Sequence, residues 1–119
     1  MPHCVIECPA DLKNQVDFDY LVRAIHDTTD ASGLFAMGDV KSRLILSDHY
    51  HVSGKRDPYV HVVCHILSGR TEKQRKQLGD DLALTLCELL PAVEMISVEV
   101  REIEKQIYSN RKSLMKTSR

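Results

Sequence analysis

Three places in the chain carry groups suited to chemistry. The first is Pro2. Met1 stands before a small residue and is expected to be trimmed, which leaves proline as the N-terminus, a secondary amine without an amide. Such an amine can act as a base or a nucleophile. An ordinary α-amino group titrates at about 7.7–8.0, and proline is more basic, so a base at neutral pH needs its pKa lowered. Burial and nearby cations both lower it, because each disfavours the protonated form. The second place is Arg70, in Ser68-Gly69-Arg70-Thr71. Thr71 with Gln74 reads as a capping box, so Arg70 precedes a helix start, where free N–H groups and the dipole favour an anion. Its planar fork suits a carboxylate; a solvated turn arginine is the alternative on local grounds. The third is Lys41 with Arg43, two cations on one strand face. Alone, that pair also fits the charges that protect an edge strand.

The histidines invite a metal reading. His61 and His65 share a strand face, but Cys64 points to the other, and His49 and His51 align only if their segment is extended. No compact ligand set results, so structural histidines and no metal site are expected.

The elements that must position these groups follow from periodicity. Residues 3–8 are rich in strand formers. Phe18, Leu21, Val22 and Ile25 mark a helix face, with Asp17 placed to cap it and Ala31-Ser32-Gly33 to end it. From Val40 to Leu46 the residues alternate, Lys41, Arg43 and Ile45 sharing a face. Residues 47–58 form a loop or loose hairpin around Ser53-Gly54, and Tyr59 to Leu67 reads as a central strand. Leu78, Leu82, Leu86, Leu89 and Leu90 form the stripe of a second helix, stopped by Pro91. Ile96, Val98 and Val100 alternate with Ser97, Glu99 and Arg101 in a last strand. The fold class is therefore α+β, a two-layer arrangement of duplicated βαβ units. Each unit has parallel strands and a right-handed crossover. Together they make a four-stranded sheet with both helices on one face, and the open face calls for an oligomer.

Composition bounds the rest. A chain of 119 residues fits one domain, here 1–119, and 43% hydrophobic with 28% charged residues is ordinary for a globular protein. The net charge of −1 argues against nucleic-acid or membrane binding by bulk charge. With no Trp and two Phe the core must be aliphatic. No apolar run approaches the roughly 20 residues of a membrane span. The start lacks a secretory signal, and the four cysteines form no CxxC pair, so buried reduced thiols and a cytoplasmic location are expected. The tail 105–119 has five cations and no carboxylate. It reads as a solvated end, or as an arm that packs on a neighbouring subunit.

Taken in order, MPHCVIEC, Lys41-Ser42-Arg43, Tyr59-Val60-His61 and Gly69-Arg70-Thr71 resemble the tautomerase superfamily, and within it the 5-carboxymethyl-2-hydroxymuconate isomerases. The resemblance runs through about residue 108. It implies a homotrimer whose sheets surround a barrel-like core, with sites near subunit boundaries. It implies a cofactor-free isomerase that moves a proton in an unsaturated keto or enol dicarboxylate. Pro2 would be the base, Arg70 would bind a carboxylate or the developing enolate oxygen, and Lys41 and Arg43 would bind substrate. The chain departs from the pattern at Lys41, where the family has arginine; lysine keeps the charge and loses the bidentate fork. A promiscuous tautomerase, a decarboxylase with protonated Pro2 as acid, and an inactive trimeric binding protein are the alternatives.

Overall fold

Alternate residues of the first strand are sealed from solvent, and that period of two organises the molecule. The computed structural model describes residues 1–117. Strand β1 (His3–Pro9) buries Cys4, Ile6 and Cys8, and β3 (Tyr59–Leu67) buries Val60, Val62, Cys64 and Ile66. β2 (Lys41–Ser47) and β4 (Met95–Ile103) complete a sheet of order β2-β1-β3-β4. β1 runs parallel to β2, β3 runs parallel to β4, and the central β1–β3 pair is antiparallel. The two βαβ halves expected from periodicity are thus joined back to back. β2 begins at Lys41, whose N–H donates to the Pro2 carbonyl at 3.0 Å.

Both helices cover one face. α1 (Phe18–Ala31) starts at Asp17, whose carboxylate accepts from the N–H groups of Asp19 and Tyr20 at 2.8 and 3.4 Å. It turns Leu21, Ile25 and Thr29 inward at a spacing of four. α2 (Glu72–Leu89) starts with the expected capping box: Gln74 N–H to the Thr71 hydroxyl at 3.1 Å, and Thr71 N–H to the Gln74 side chain at 2.9 Å. Its stripe of Leu78, Leu82 and Leu86 meets the buried strand residues in one aliphatic core, joined by Leu12 and Leu90. Each such side chain contributes about 1.5–3 kcal/mol by leaving water. No helix among the described residues is long and apolar enough to cross a membrane.

Three of the four thiols, Cys4, Cys8 and Cys64, are buried as expected. Cys87 is not: it follows Leu86 on α2, and the step of about 100° per residue carries it from the inner stripe to solvent. Cys4 and Cys64 lie directly opposite on β1 and β3, with sulfurs 3.4 Å apart and the Thr29 hydroxyl 3.4 Å from Cys4. The Thr29 proton goes to the Ile25 carbonyl at 2.8 Å, so the donors run Cys64, Cys4, Thr29 and end on that carbonyl, which satisfies both thiols.

Neither α1 nor α2 covers the opposite face, which Tyr108 of the tail reaches at His3. Ile45 and Met95 are about half exposed there, at 52% and 49%, beside charged neighbours. The expected loose hairpin is a tight turn in which Ser53 and Gly54 both have positive φ, 52° and 79°, bridging Val52 to Lys55. A 3-10 turn (Lys105–Ile107) and a short helix α3 (Arg111–Thr117) follow β4, and Lys105 N–H donates to the Ser68 hydroxyl at 3.1 Å. The last two residues of the tail lie outside the described residues.

Candidate active site

Proline has no N–H to give a ladder, so the position just before a strand costs Pro2 nothing. The residue is buried, and it is flanked by the first residue of β2 and the end of β3. Because β3 runs against β1, its exit through Leu67 to Arg70 lies at the same end of the sheet as Pro2. Because β2 runs with β1, Lys41 lies there as well. Sheet topology alone therefore gathers the sequence candidates at one end.

Closer contacts join only some of them. The carbonyl of Asp39 accepts from Lys41 Nζ at 2.8 Å and from the amino group of Met1 at 3.3 Å. Burial chiefly, then the hydrogen bond and charge of Lys41, hold this amine below the usual α-amino range; Asp39 pulls it back up, and Lys112 adds to the lowering. Met1 is the residue whose removal would expose the Pro2 amine, so its amino group stands one residue outside the position that a proline base would take.

Arg43 lies two residues along the same face and places Nη1 3.2 Å from His3 Nδ1. His3 Nε2 in turn lies 3.3 Å from the Tyr108 hydroxyl. Burial first, then Arg43, the N-terminus, Lys41 and His65, push the His3 imidazole below its ordinary value. His3 and Tyr108 were not among the sequence candidates. Alternation does put His3 on the face of Lys41 and Arg43, but nothing in the spacing could place a tyrosine some hundred residues away, 105 in separation.

Arg70 is held apart from these contacts. Gly69, at φ +126°, turns the chain, and the Arg70 guanidinium donates to the carbonyls of Leu34 at 2.6 Å and Leu67 at 3.4 Å. Its Cζ sits 4.9 Å from the centre of the Phe35 ring. The segment 32–40 that joins α1 to β2 therefore carries both the Arg70 seat and the Asp39 carbonyl that gathers Lys41 with the N-terminus.

The remaining histidines belong to other structures. His61 bonds Ser97 at 2.6 Å through Nδ1 and Glu99 at 3.0 Å through Nε2, and Arg101 clasps Glu99 at 2.7 Å. Arg101 first, then His61, hold the Glu99 carboxyl below its usual range. His65 faces His3 across the β1–β3 pair, while His49 and His51 lie before the tight turn. Among the described residues no group of three or more His, Cys, Asp or Glu is arranged to hold a metal ion. Cavities of about 840 Å³ beside α2 and β4, and of about 450 Å³ between the tight turn and β4, include neither Pro2 nor Lys41, Arg43 or Arg70.

A sheet of two back-to-back βαβ halves, with a proline leading the first strand, is the α+β architecture of the tautomerase superfamily. Comparison with known proteins bears out the fold. A crystal structure of a 5-carboxymethyl-2-hydroxymuconate isomerase from Deinococcus radiodurans R1 superposes with a TM-score of 0.83 at 22% identity, covering 99% of this chain and 94% of that one. The structure of a fused 4-OT wild type symmetric trimer gives 0.78 at 12% identity, covering 92% and 94%. The 5-carboxymethyl-2-hydroxymuconate Delta-isomerase of Escherichia coli is 29% identical over 84 residues, 69% of this chain and 67% of the relative. The sequence profile of the 5-carboxymethyl-2-hydroxymuconate isomerase family matches residues 2–117; the chain belongs to that family and is an isomerase.

Proposed function

We propose that the protein is a cofactor-free isomerase of an unsaturated keto or enol dicarboxylate such as 5-carboxymethyl-2-hydroxymuconate, with trimmed Pro2 as its general base. The observation that carries this reading is the convergence of the N-terminal amine and Lys41 on Asp39, next to a buried Pro2. That setting lowers the pKa of an amine placed there, in the direction a base needs. The neutral Pro2 nitrogen takes an acidic C–H proton, and the electron pair delocalises into a dienolate. Arg70 and Lys41 hold the charge as it grows, and Arg43 holds a carboxylate. The prolinium then returns its proton to a distant carbon, so no proton is gained or lost overall.

A homotrimer fits the half-exposed Ile45 and Met95 on the sheet face away from the helices, and a protein of similar fold is described as a symmetric trimer. It would also bring a neighbour's groups toward the sheet end that carries Pro2. Buried free thiols at Cys4, Cys8 and Cys64 suit a reducing cytoplasmic setting.

The test is a spectrophotometric assay of ketonisation against a small panel of 2-hydroxymuconate-type and phenylpyruvate-type enols. Pro2→Ala is expected to cut kcat/KM by roughly 10²–10⁴-fold. Arg70→Ala should cost about tenfold or more, the worth of a charge-assisted hydrogen bond. Turnover of the phenylpyruvate type alone would favour a promiscuous tautomerase. Full activity in both variants would remove Pro2 as the base and Arg70 from the site; no turnover of any panel member by the native chain would leave only a binding protein.

A further inference from the structure

A guanidinium has five N–H donors and no acceptor. Arg43 Nη1 at 3.2 Å from His3 Nδ1 therefore requires a lone pair on Nδ1. The His3 proton must then sit on Nε2, which faces the Tyr108 hydroxyl at 3.3 Å. That chain of contacts spans three elements: Tyr108 beyond β4, His3 on β1 and Arg43 on β2. We propose that His3 and Tyr108 are positioning residues: neutral His3, its ring steadied by Tyr108, holds the Arg43 guanidinium in place for a substrate carboxylate. This role rests on the assignment of Arg43 to substrate binding.

The surroundings explain why the imidazole stays neutral. Lys41 and Arg43 reach it from β2, His65 faces it from β3, and the N-terminal amine lies close by. Arg101 of β4 pairs in register with His65, so the next residue outward is a further cation. Tyr108 faces it from the tail without charge. A proton added to Nδ1 would set donor against donor and cation against cation, and Arg43 would leave its seat. Acidification then weakens substrate binding through His3, apart from any effect on the base.

The length of the two amide side chains separates the ring nitrogens. Asparagine can offer an acceptor near the Nδ1 position and cannot take a proton; glutamine reaches toward Nε2 and leaves Arg43 without its acceptor. With 5-carboxymethyl-2-hydroxymuconate as substrate, His3→Gln should raise KM about tenfold with kcat little changed, the pattern of lost binding rather than lost chemistry. His3→Asn should restore most of that binding and remove the rise of KM on the acid side. Tyr108→Phe should raise KM several-fold by loosening the His3 ring. Independently of turnover, ¹⁵N spectra of the imidazoles should show His3 protonated on Nε2 at neutral pH and titrating at higher pH in Arg43→Ala. An Nδ1–H tautomer would overturn the proposal. So would an unchanged KM in His3→Gln while Arg43→Ala raises it, an outcome that leaves the wider functional reading standing. An unchanged KM in Arg43→Ala would remove the assignment of Arg43 and this role together.

Discussion

The ammonium of Lys41 and the amino group of Met1 meet at one oxygen, the Asp39 carbonyl, 2.8 and 3.3 Å away. Two cations sharing an acceptor repel each other, and the one with the lower intrinsic pKa yields. As a charge and hydrogen-bond donor, Lys41 lowers the pKa of the amine beside it, without a fork to grip a carboxylate. Lys41→Met is expected to move the acid limb of the kcat/KM profile to higher pH and to lower activity at neutral pH. Lys41→Arg should keep the limb in place. A limb unmoved in Lys41→Met, from a full pH–rate series, would show that Lys41 does not tune the base.

The base must be a free secondary amine. Any residue retained ahead of Pro2 turns its nitrogen into a tertiary amide with no usable lone pair. Intact-mass measurement of protein from cells is expected to show loss of Met1. A form with an uncleavable N-terminal extension should lose roughly 10²–10⁴-fold in kcat/KM, as Pro2→Ala does. Equal activity in extended and trimmed protein would exclude Pro2 as the base.

Gly69 sets the direction in which Arg70 leaves β3. A Cβ there would meet no atom within 4 Å, so any cost of substitution is conformational, from φ +126°. Gly69→Ala should lose about 1–3 kcal/mol of stability in denaturant titration. Activity should fall by more than the lost folded fraction explains, because the Arg70 contact to Leu34 shifts.

The depressed pKa of His3 links stability to pH. The unfolded imidazole binds a proton near its reference value of 6.5 and the folded one only at lower pH. Between those values the unfolded state holds more protons, so stability rises with pH. The contribution is present above about 6.5 and is lost as pH falls through the folded value. Thermal melts across that window should steepen for the native chain and flatten in His3→Asn; identical slopes would show that His3 does not contribute.

Packing predictions separate the two sides of α2. Leu82→Ala, at a fully buried position, should cost about 2–5 kcal/mol. Cys87→Ser, at an exposed position, should stay within about 0.5 kcal/mol. Chemical denaturation of both variants checks the pair.

Local physics made much of this protein legible from its residues. The period-two burial of β1 and β3, the leucine stripe of α2, the Asp17 cap and the Thr71–Gln74 box all act within a few residues, and each stands where periodicity and capping place it. Pro2, Lys41, Arg43 and Arg70 were singled out by type and local setting. That they share one sheet end depends on the antiparallel β1–β3 junction, a long-range pairing that no short window encodes. Tertiary structure also decided that Arg70 is seated on Leu34 and Phe35, that Cys87 faces solvent, and that Tyr108 returns to His3. The reason is the same in each case. Alternation and capping are properties of neighbours along the chain, whereas the proton on an imidazole is set by whichever charges the fold brings beside it.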